Sequence, residues 1–317
     1  MVNKLYNEQS VQDIADAIRS VSGSTDTYTI SEMSAAVAGI STGLDWAQLN
    51  YDTSGVNKGT PIEVVDGFDY AKDIIESYDG TNTYIQDKYL LFWPNIDITG
   101  RYNYQQMFDR SRLLHCPALT LGDPSSGAGT ITTNYMFKET LIEEITINTI
   151  SDNTIPVSFV NTFLDCKRLK KAQINCPATG TEYMFSGCNA LTTVNSFDTS
   201  EATNMRYTFK NCSSLVTAPE LDTSAAGMLT EMFNGCTNLA NVPVYDFTAA
   251  ANMQNMYNGC TALTDTSLDN ILQACISATT FTGNKSLSYL GISNTYDSRI
   301  TALTHYQDFI DAGWIIR

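Results

Sequence analysis

The amino-acid sequence predicts an α+β repeat protein: a solenoid with short strands, a small N-terminal helical segment and an α/β C-terminal cap. Three observations lead to this prediction. A motif of one aromatic residue, one cysteine and one leucine recurs along the 317-residue chain. A short stretch of alternating apolar residues follows each copy, which is the period of a strand. The two ends lack the motif and carry apolar residues at helical spacing instead.

The repeat is clearest in four copies, whose aromatic residues Phe185, Phe209, Phe233 and Tyr257 lie 24 residues apart. An earlier copy contains Phe163, 22 residues before Phe185. The predicted repeat core consists of Phe163, Cys166, Leu169, Phe185, Cys188, Leu191, Phe209, Cys212, Leu215, Phe233, Cys236, Leu239, Tyr257, Cys260 and Leu263. Weaker copies centre on Phe137 and Phe108, which gives seven units with the first two degenerate.

Each unit has a second half, in which an apolar stretch leads into an Asp-Thr-Ser turn and then to a methionine or leucine before the next aromatic residue. The apolar stretch predicts one short strand, and the segment from methionine to aromatic residue spans about one helical turn. A unit of this size cannot bury its apolar face alone, whereas stacked units share a continuous core. The sequence therefore predicts columns of Phe, Cys and Leu side chains.

The columns also explain five of the eight cysteines. A free cysteine is small, apolar and often fully buried, so it fits a tight bend. A ladder of buried thiols is the favoured interpretation over a row of zinc sites, which need clustered Cys and His ligands. Disulfides between successive units are conceivable geometrically, but a reducing cytoplasm would prevent them.

The motif F-x-G-C-x-x-L, followed by P-x-L-D-T-S and N-M, resembles BspA-type leucine-rich repeats over roughly residues 90–265. That resemblance implies a leucine-rich-repeat solenoid of the kind found in bacterial surface proteins and in structural proteins of bacteriophages. It implies little about function.

Two short amphipathic helices are predicted near the N-terminus. Ser10 caps one with Val11, Ile14 and Ile18 on a single face, and a capping box at Thr29–Glu32 opens the other. A helical hairpin packed on the rest of the chain and a docking or oligomerisation element are both open interpretations. The stretch from Ile14 to Met33 resembles a segment near the start of many tailed-phage structural proteins, which favours the second.

The C-terminal end predicts a cap that shields the core from water. Leu268, Ile271, Leu272, Cys275 and Ile276 have helical spacing. A strand is predicted around 287–292 and a second helix over 298–311. The ending from Tyr306 to Trp314 also resembles segments that lie beside such repeats in phage proteins. The predicted divisions are 1–42 (docking or oligomerisation), 43–88 (connector), 89–265 (solenoid) and 266–317 (cap).

The formal charge of −16 argues against a nucleic-acid partner, because the chain would repel phosphate backbones. No run of about 18 apolar residues is present, and the start of the sequence lacks the basic-then-apolar pattern of a secretory signal. The sequence therefore predicts no membrane insertion, and the resemblance to phage structural proteins implies a virion protein assembled in the host cytoplasm.

Candidate chemical groups are few. The two histidines, His115 and His305, are interpreted as structural or surface residues, and Glu143–Glu144 as solvated charge. The glycine-rich stretch at 127–130 lacks the lysine of a phosphate-binding loop and is interpreted as a surface loop. The column of Asp198, Asp222 and Asp246 is compatible with calcium, which needs six or more oxygens, but local turn hydrogen bonds are favoured.

The resemblance of the two ends to phage proteins implies the function of a non-enzymatic structural protein of a tailed phage, a tail-fibre or baseplate-associated appendage for attachment to the host surface. Its expected partners are other virion proteins through the N-terminal segment and a host protein or glycan through the repeats, with homo-oligomerisation open. No cofactor and no catalytic or metal-binding residue is predicted. Three alternatives remain: a capsid-decorating head fibre, a bacterial surface adhesin, and a glycan-active enzyme on the particle.

Overall fold

The computed structural model describes residues 102–111, 113, 116, 118–122 and 129–317. The predicted N-terminal helices, the connector, the start of the predicted solenoid at 89–101, His115 and residues 127–128 of the glycine-rich stretch lie outside the described residues. The described part has an α+β arrangement, with short parallel strands in two sheets and a few helices.

The strands lie in the segments that separate the aromatic residues of the earlier units. In chain order they are β1 (Ala118–Leu121), β2 (Ile131–Thr132), β3 (Glu144–Thr149), β4 (Val157–Ser158), β5 (Lys171–Ile174), β6 (Ala178–Gly180) and β7 (Thr193–Val194). The short helix α1 (Ile150–Asn153) follows β3. Strands β1, β3, β5 and β7 form one parallel sheet in that order, and β2, β4 and β6 form the other. Neighbouring strands therefore come from successive units.

Side chains alternate across the four-stranded sheet as the predicted period of two requires. In β3, Ile145 and Ile147 are buried while Glu144 is exposed, and in β5 Ala172 and Ile174 are buried. The outward rows are polar: Thr146 lies opposite Gln173, and Thr120 lies opposite Asn148. The apolar row of each strand faces the core that the stacked units share.

The corner around each aromatic residue differs from the predicted helical turn. In the Phe209 unit, the amides of Thr208, Lys210 and Cys212 donate to carbonyls three residues back, but those of Tyr207, Phe209 and Asn211 donate to the next unit at 2.7–3.0 Å. Two residues per corner adopt positive φ, here Tyr207 and Asn211 at 61°. This conformation costs a non-glycine residue about 1–2 kcal/mol. Every second N–H of the corner therefore donates to the next unit, whereas in an α-helix the N–H groups bond within the helix itself.

The aromatic residues of all seven units form one stack. Successive ring centroids lie 5.0–5.8 Å apart with planes within 18° of parallel, an offset-stacked geometry. The stack consists of Phe108, Phe137, Phe163, Phe185, Phe209, Phe233 and Tyr257. The two degenerate units therefore stack in the same column as the others.

The cysteine column lies beside the aromatic stack, and its thiols are free and buried. Each thiol donates to the carbonyl of the aromatic residue one unit earlier; Cys236 Sγ, for example, lies 3.0 Å from Phe209 O. The same bond links Cys166 to Phe137, Cys188 to Phe163, Cys212 to Phe185 and Cys260 to Phe233. Each of these carbonyls also accepts the backbone N–H three residues on, so both of its lone pairs are used.

The second halves of the later units pair less regularly. Beyond β7 the described units are joined by single parallel bridges such as Thr217–Asn241, not by continuous strands. Pro219 and Pro243 lie in these segments, and proline cannot donate to a strand ladder. The Asp-Thr-Ser turns supply a link instead, since the buried Thr199 hydroxyl donates to the carbonyl of Asp222 in the next unit at 2.8 Å.

The C-terminal region contains α2 (Asp265–Ser277), a 3₁₀ turn (Asn294–Tyr296), α3 (Asp297–Ile300) and α4 (Tyr306–Asp311). Helix α2 is observed where the Leu268–Ile276 spacing predicted it, and the Thr264 side chain caps its N-terminus. The predicted strand around 287–292 is a turn, and only Ser286 forms a bridge, to Ile315.

The single helix predicted over 298–311 was wrong, because α3 ends at Ile300 and α4 begins at Tyr306. Between them, the backbone N–H and the imidazole Nδ1 of His305 both contact the carboxylate of Asp269 on α2, at 2.9 and 3.0 Å. This tie to α2 holds the start of α4. Trp314 is 1% exposed and stacks on Phe281 and Phe309, which closes the core.

The aromatic stack generates a prediction about stability. Phe209→Ala removes one ring from the middle of the stack and leaves a cavity, so we expect a loss of about 3–5 kcal/mol in the free energy of unfolding. Denaturant unfolding measures it. Glu201→Ala, at an exposed position of the same unit, should stay within about 0.5 kcal/mol of the parent protein. A loss below 1 kcal/mol for Phe209→Ala would contradict a shared core.

The thiol column predicts a fall in stability at alkaline pH. Burial raises the pKa of Cys166 and of Cys236 to about 12, and raises that of Cys212 well above its usual value. The pKa of a thiol in the unfolded chain is about 8.5. Above that pH the unfolded chain therefore releases protons that the folded chain keeps. The free energy of unfolding should therefore fall as pH rises from about 8.5 to 12, by up to about 1.4 kcal/mol per pH unit per thiol.

The control for this pH dependence is Cys212→Ala, which should show a shallower slope because one titrating group is gone. Native protein at pH 8 should react with a thiol reagent only as fast as it unfolds. Rapid labelling of the folded protein, or an unchanged slope in the variant, would show that these thiols are accessible.

Candidate binding groove

A groove lined by several asparagines lies where β3, β5 and β7 end. Parallel strands bring their carboxyl ends to one edge of a sheet, and here the loops that follow leave an open cavity of about 460 Å³. That volume is ordinary for a small-ligand site, for which about 300–1,000 Å³ is typical. Its lining consists of Asn153, Thr154, Ile174, Asn175, Cys176, Pro177, Asn195, Ser196, Phe197 and Asp198.

One asparagine side chain creates the floor of the groove. Asn195 Oδ1 accepts the backbone N–H of Ile174 at 2.7 Å, and its Nδ2 donates to the carbonyl of Ile174 at 2.8 Å. The amide side chain thus makes both of the bonds that the peptide of a neighbouring strand would make. Strand β7 ends at Val194, and the last backbone bond to β5 is that of the Asn195 N–H to the carbonyl of Ala172, at 3.3 Å. Beyond it the Asn195 side chain, not the backbone, bonds to β5 at Ile174.

The equivalent position in the next two units is occupied by proline. Val194-Asn195 aligns with Ala218-Pro219 and with Val242-Pro243. A proline lacks the N–H and has no side-chain amide, so it cannot substitute for a strand peptide. Among these three described units, asparagine occupies this position only in the unit that pairs with β5.

The other asparagines of the groove are held in place by neighbours. Asn153 has a φ of 63°, and its Oδ1 accepts the backbone N–H of Thr149 at 2.7 Å. Asn175 Nδ2 donates to Asn148 Oδ1 at 2.8 Å, and Asn175 Oδ1 accepts from Gln173 at 3.2 Å. Each amide has capacity for about four hydrogen bonds, so these contacts fix its orientation and leave donors and acceptors for a ligand.

The groove lining contains one carboxylate and one thiol. Asp198 is the only carboxylate in the lining, and its Oδ1 accepts both the N–H and the hydroxyl of Ser200, at 3.0 and 2.7 Å. Burial raises the pKa of Cys176 to about 12, which keeps its thiol neutral and poorly nucleophilic. No lining residue is a base paired with a nucleophile, which acyl or glycosyl transfer would need.

The aspartate column forms turns, as the sequence favoured. Asp222 Oδ1 accepts the N–H and hydroxyl of Ser224 at 2.9 and 2.6 Å, and Asp246 Oδ1 accepts the N–H of Thr248 at 2.7 Å. The side-chain and backbone hydrogen bonds from Ser224 lower the pKa of Asp222. Within the described ranges, no three or more His, Cys, Asp or Glu side chains are grouped to hold a metal ion.

The paired carboxylates at the start of β3 require a correction. The interpretation as solvated charge holds for exposed Glu144 and was wrong for Glu143, which is buried and forms ion pairs with Arg168 and Lys170. Although burial disfavours the charged form, the hydrogen bonds and charges of these two cations outweigh it and lower the pKa of Glu143. Strand alternation separates the two carboxylates onto opposite faces, so they do not act as a pair.

The fifteen sequence-predicted core residues lie in the interior, each at most 2% exposed. None of them lines the groove. Of the groove residues, sequence reasoning named Asp198 but missed the asparagines, because these are scattered over three units. One sequence feature could have pointed to the groove. Asn195 occupies a repeat position at which the next two units have proline, Pro219 and Pro243.

Comparison with known proteins adds one similarity. A family model described as "Mycoplasma protein of unknown function, DUF285" matches residues 179–293, about a third of the chain. The matched stretch contains the four clearest repeats and the start of the C-terminal region. No curated protein and no solved structure matches the chain. In the part of the chain that the structure describes, no helix has both the length and the apolar character needed to cross a bilayer.

The floor of the groove generates a prediction. Asn195→Ala leaves the N–H and the carbonyl of buried Ile174 without partners, so we expect a loss of about 1–3 kcal/mol in the free energy of unfolding. Asn195→Asp should be less stable than the parent at neutral pH, because its carboxylate faces the Ile174 carbonyl. The deficit should shrink below about pH 4, where the protonated acid donates.

The matched control is Asn241→Ala, which removes an exposed amide whose Nδ2 bonds the Thr217 hydroxyl. Chemical denaturation at pH 7 and pH 3.5 distinguishes the variants. Equal stability of Asn195→Ala and Asn241→Ala would show that Asn195 does not stand in for a strand.

Proposed function

We propose that this chain is a non-enzymatic leucine-rich-repeat protein of a tailed phage, an appendage that attaches the particle to the host surface. In this proposal the stacked units form a solenoid. Its packed interior gives rigidity, and its surface binds a protein or glycan of the host. The observation that carries the binding role is the amide-lined groove at the ends of β3, β5 and β7, a built concave surface without a catalytic pair.

The repeat architecture supports the proposal in two ways. The inter-unit hydrogen bonds and the aromatic stack make a rigid body from short units, which suits an elongated appendage. The described cysteines are all buried, and those of the column donate to carbonyls, so they serve the stack and not a reaction.

The placement on a phage particle rests on the resemblance of the segment from Ile14 to Met33 and of the ending from Tyr306 to Trp314. A baseplate or tail-fibre position is proposed for the N-terminal segment, with the repeats directed outwards. The head-fibre, surface-adhesin and glycan-active alternatives differ in where the protein is found or in what it releases from the host envelope.

The decisive experiment is to purify phage particles from a lysate and detect this chain by mass spectrometry. We expect it in the particles, and immunogold labelling should place it at the tail. The purified protein should also compete with particles for adsorption to host cells. Absence from the particles would overturn the proposal, and label at the head would favour the head fibre. Oligosaccharides released from host envelopes by the purified protein would favour the enzyme.

A further inference from the structure

We propose that the groove at the carboxyl ends of β3, β5 and β7 binds a neutral oligosaccharide, built from uncharged hexose or N-acetylhexosamine units. This inference rests on the proposed function, because it names the class of host ligand. It is carried by the chemistry, shape and rigidity of the groove lining and by the charge of the chain.

The lining matches the chemistry of sugar hydroxyls. A hydroxyl donates one hydrogen bond and accepts others, and an asparagine amide also does both. Asn153, Asn175 and Asn195 come from three successive units and meet at one edge of the sheet. Asn195 Nδ2 donates to the carbonyls of Ile174 and Ser196, so Asn195 offers a ligand the second lone pair of its Oδ1. Asn175 Nδ2, in contrast, offers a second N–H. The lining therefore presents both an acceptor and a donor to sugar hydroxyls.

The apolar part of the lining is small. Pro177 is half-buried and Phe197 is only 9% exposed, so together they offer a limited apolar surface to the carbon atoms of a pyranose ring. The combination of apolar surface with a few placed polar groups is typical of small-molecule sites. Ser196, beside Phe197, is exposed at the mouth.

Charge excludes acidic glycans as the preferred ligand. No Lys, Arg or His lines the groove, and its one ionisable carboxylate is Asp198. The whole chain carries a formal charge of −16, so uronate or sulfate groups would be repelled. A neutral saccharide avoids this repulsion, and its binding should depend little on ionic strength.

The groove is also organised before the ligand arrives. Asn195 is held by Ile174, Asn175 by Asn148 and Gln173, and Asn153 by Thr149. Because these side chains are already ordered, binding does not need to immobilise them. This matters for a weakly binding saccharide, whose affinity is easily lost to ordering of the protein.

The test uses the full-length protein and a set of immobilised oligosaccharides of equal length. One half contains uncharged hexose and N-acetylhexosamine chains, and the other contains uronate-bearing chains. We expect binding to members of the neutral half, with little change between low and physiological salt. Binding to the acidic half alone, or to neither half, would overturn the inference.

A variant pair locates the site. Ser196→Trp fills the mouth of the groove and should lower the affinity for the neutral oligosaccharide by tenfold or more. Glu220→Trp places the same side chain at the equivalent exposed position one unit later and should leave affinity within twofold. If Ser196→Trp unfolds, Ser196→Arg obstructs the same mouth with a side chain that can extend into solvent. Unchanged affinity in a folded Ser196 variant would overturn the inference.

A further measurement separates this inference from the proposed function. Periodate oxidation of host envelopes destroys the vicinal hydroxyls of sugars and leaves most of the protein backbone intact. Loss of envelope binding after oxidation, together with the Ser196 effect, supports both proposals. Envelope binding that survives oxidation and the Ser196 variants would leave host attachment in place and overturn the saccharide groove.

Discussion

The corner around each aromatic residue is the constraint on which the rest of the described structure depends. Alternate amides of the corner bond within the unit and to the next unit, and two residues of each corner adopt positive φ to allow it. This backbone fixes the spacing of the units and brings the rings of Phe185, Phe209 and Phe233 to 5.4–5.5 Å. The strain of the left-handed residues is offset by bonds that run along the whole stack.

The same corner explains why cysteine recurs. Its small side chain fits beside the ring and its thiol reaches the second lone pair of the preceding aromatic carbonyl, as Cys236 does at Phe209. In the Phe137 unit, buried Thr140 takes this position and contacts Cys166 Sγ at 3.4 Å. The column is therefore occupied by a small side chain in this unit as well. The recurrence of cysteine along the chain is explained by this hydrogen bond and by the small size of its side chain.

The groove arises from a local departure from this regularity. The Asn195 side chain makes the two bonds at Ile174 that a strand peptide would make, whereas Pro219 and Pro243 occupy the equivalent positions of the next two units and have no such amide. A regular stack supplies rigidity and offers similar surfaces on every unit. The groove is a distinct surface on this stack, and it lies where asparagine takes the position that proline occupies in the next two units.

The sequence by itself determined the unit length, the three core columns, the Asp turns and helix α2, because each depends on periodicity or on local hydrogen bonds. It did not determine the alternating bonds of the corner, the break between α3 and α4 at His305, or the burial of Glu143 between Arg168 and Lys170. These depend on partners 21 or more residues away, which only the stacking brings into contact. The groove belongs to the same class, since its asparagines are unremarkable one by one and become a site only where three units meet.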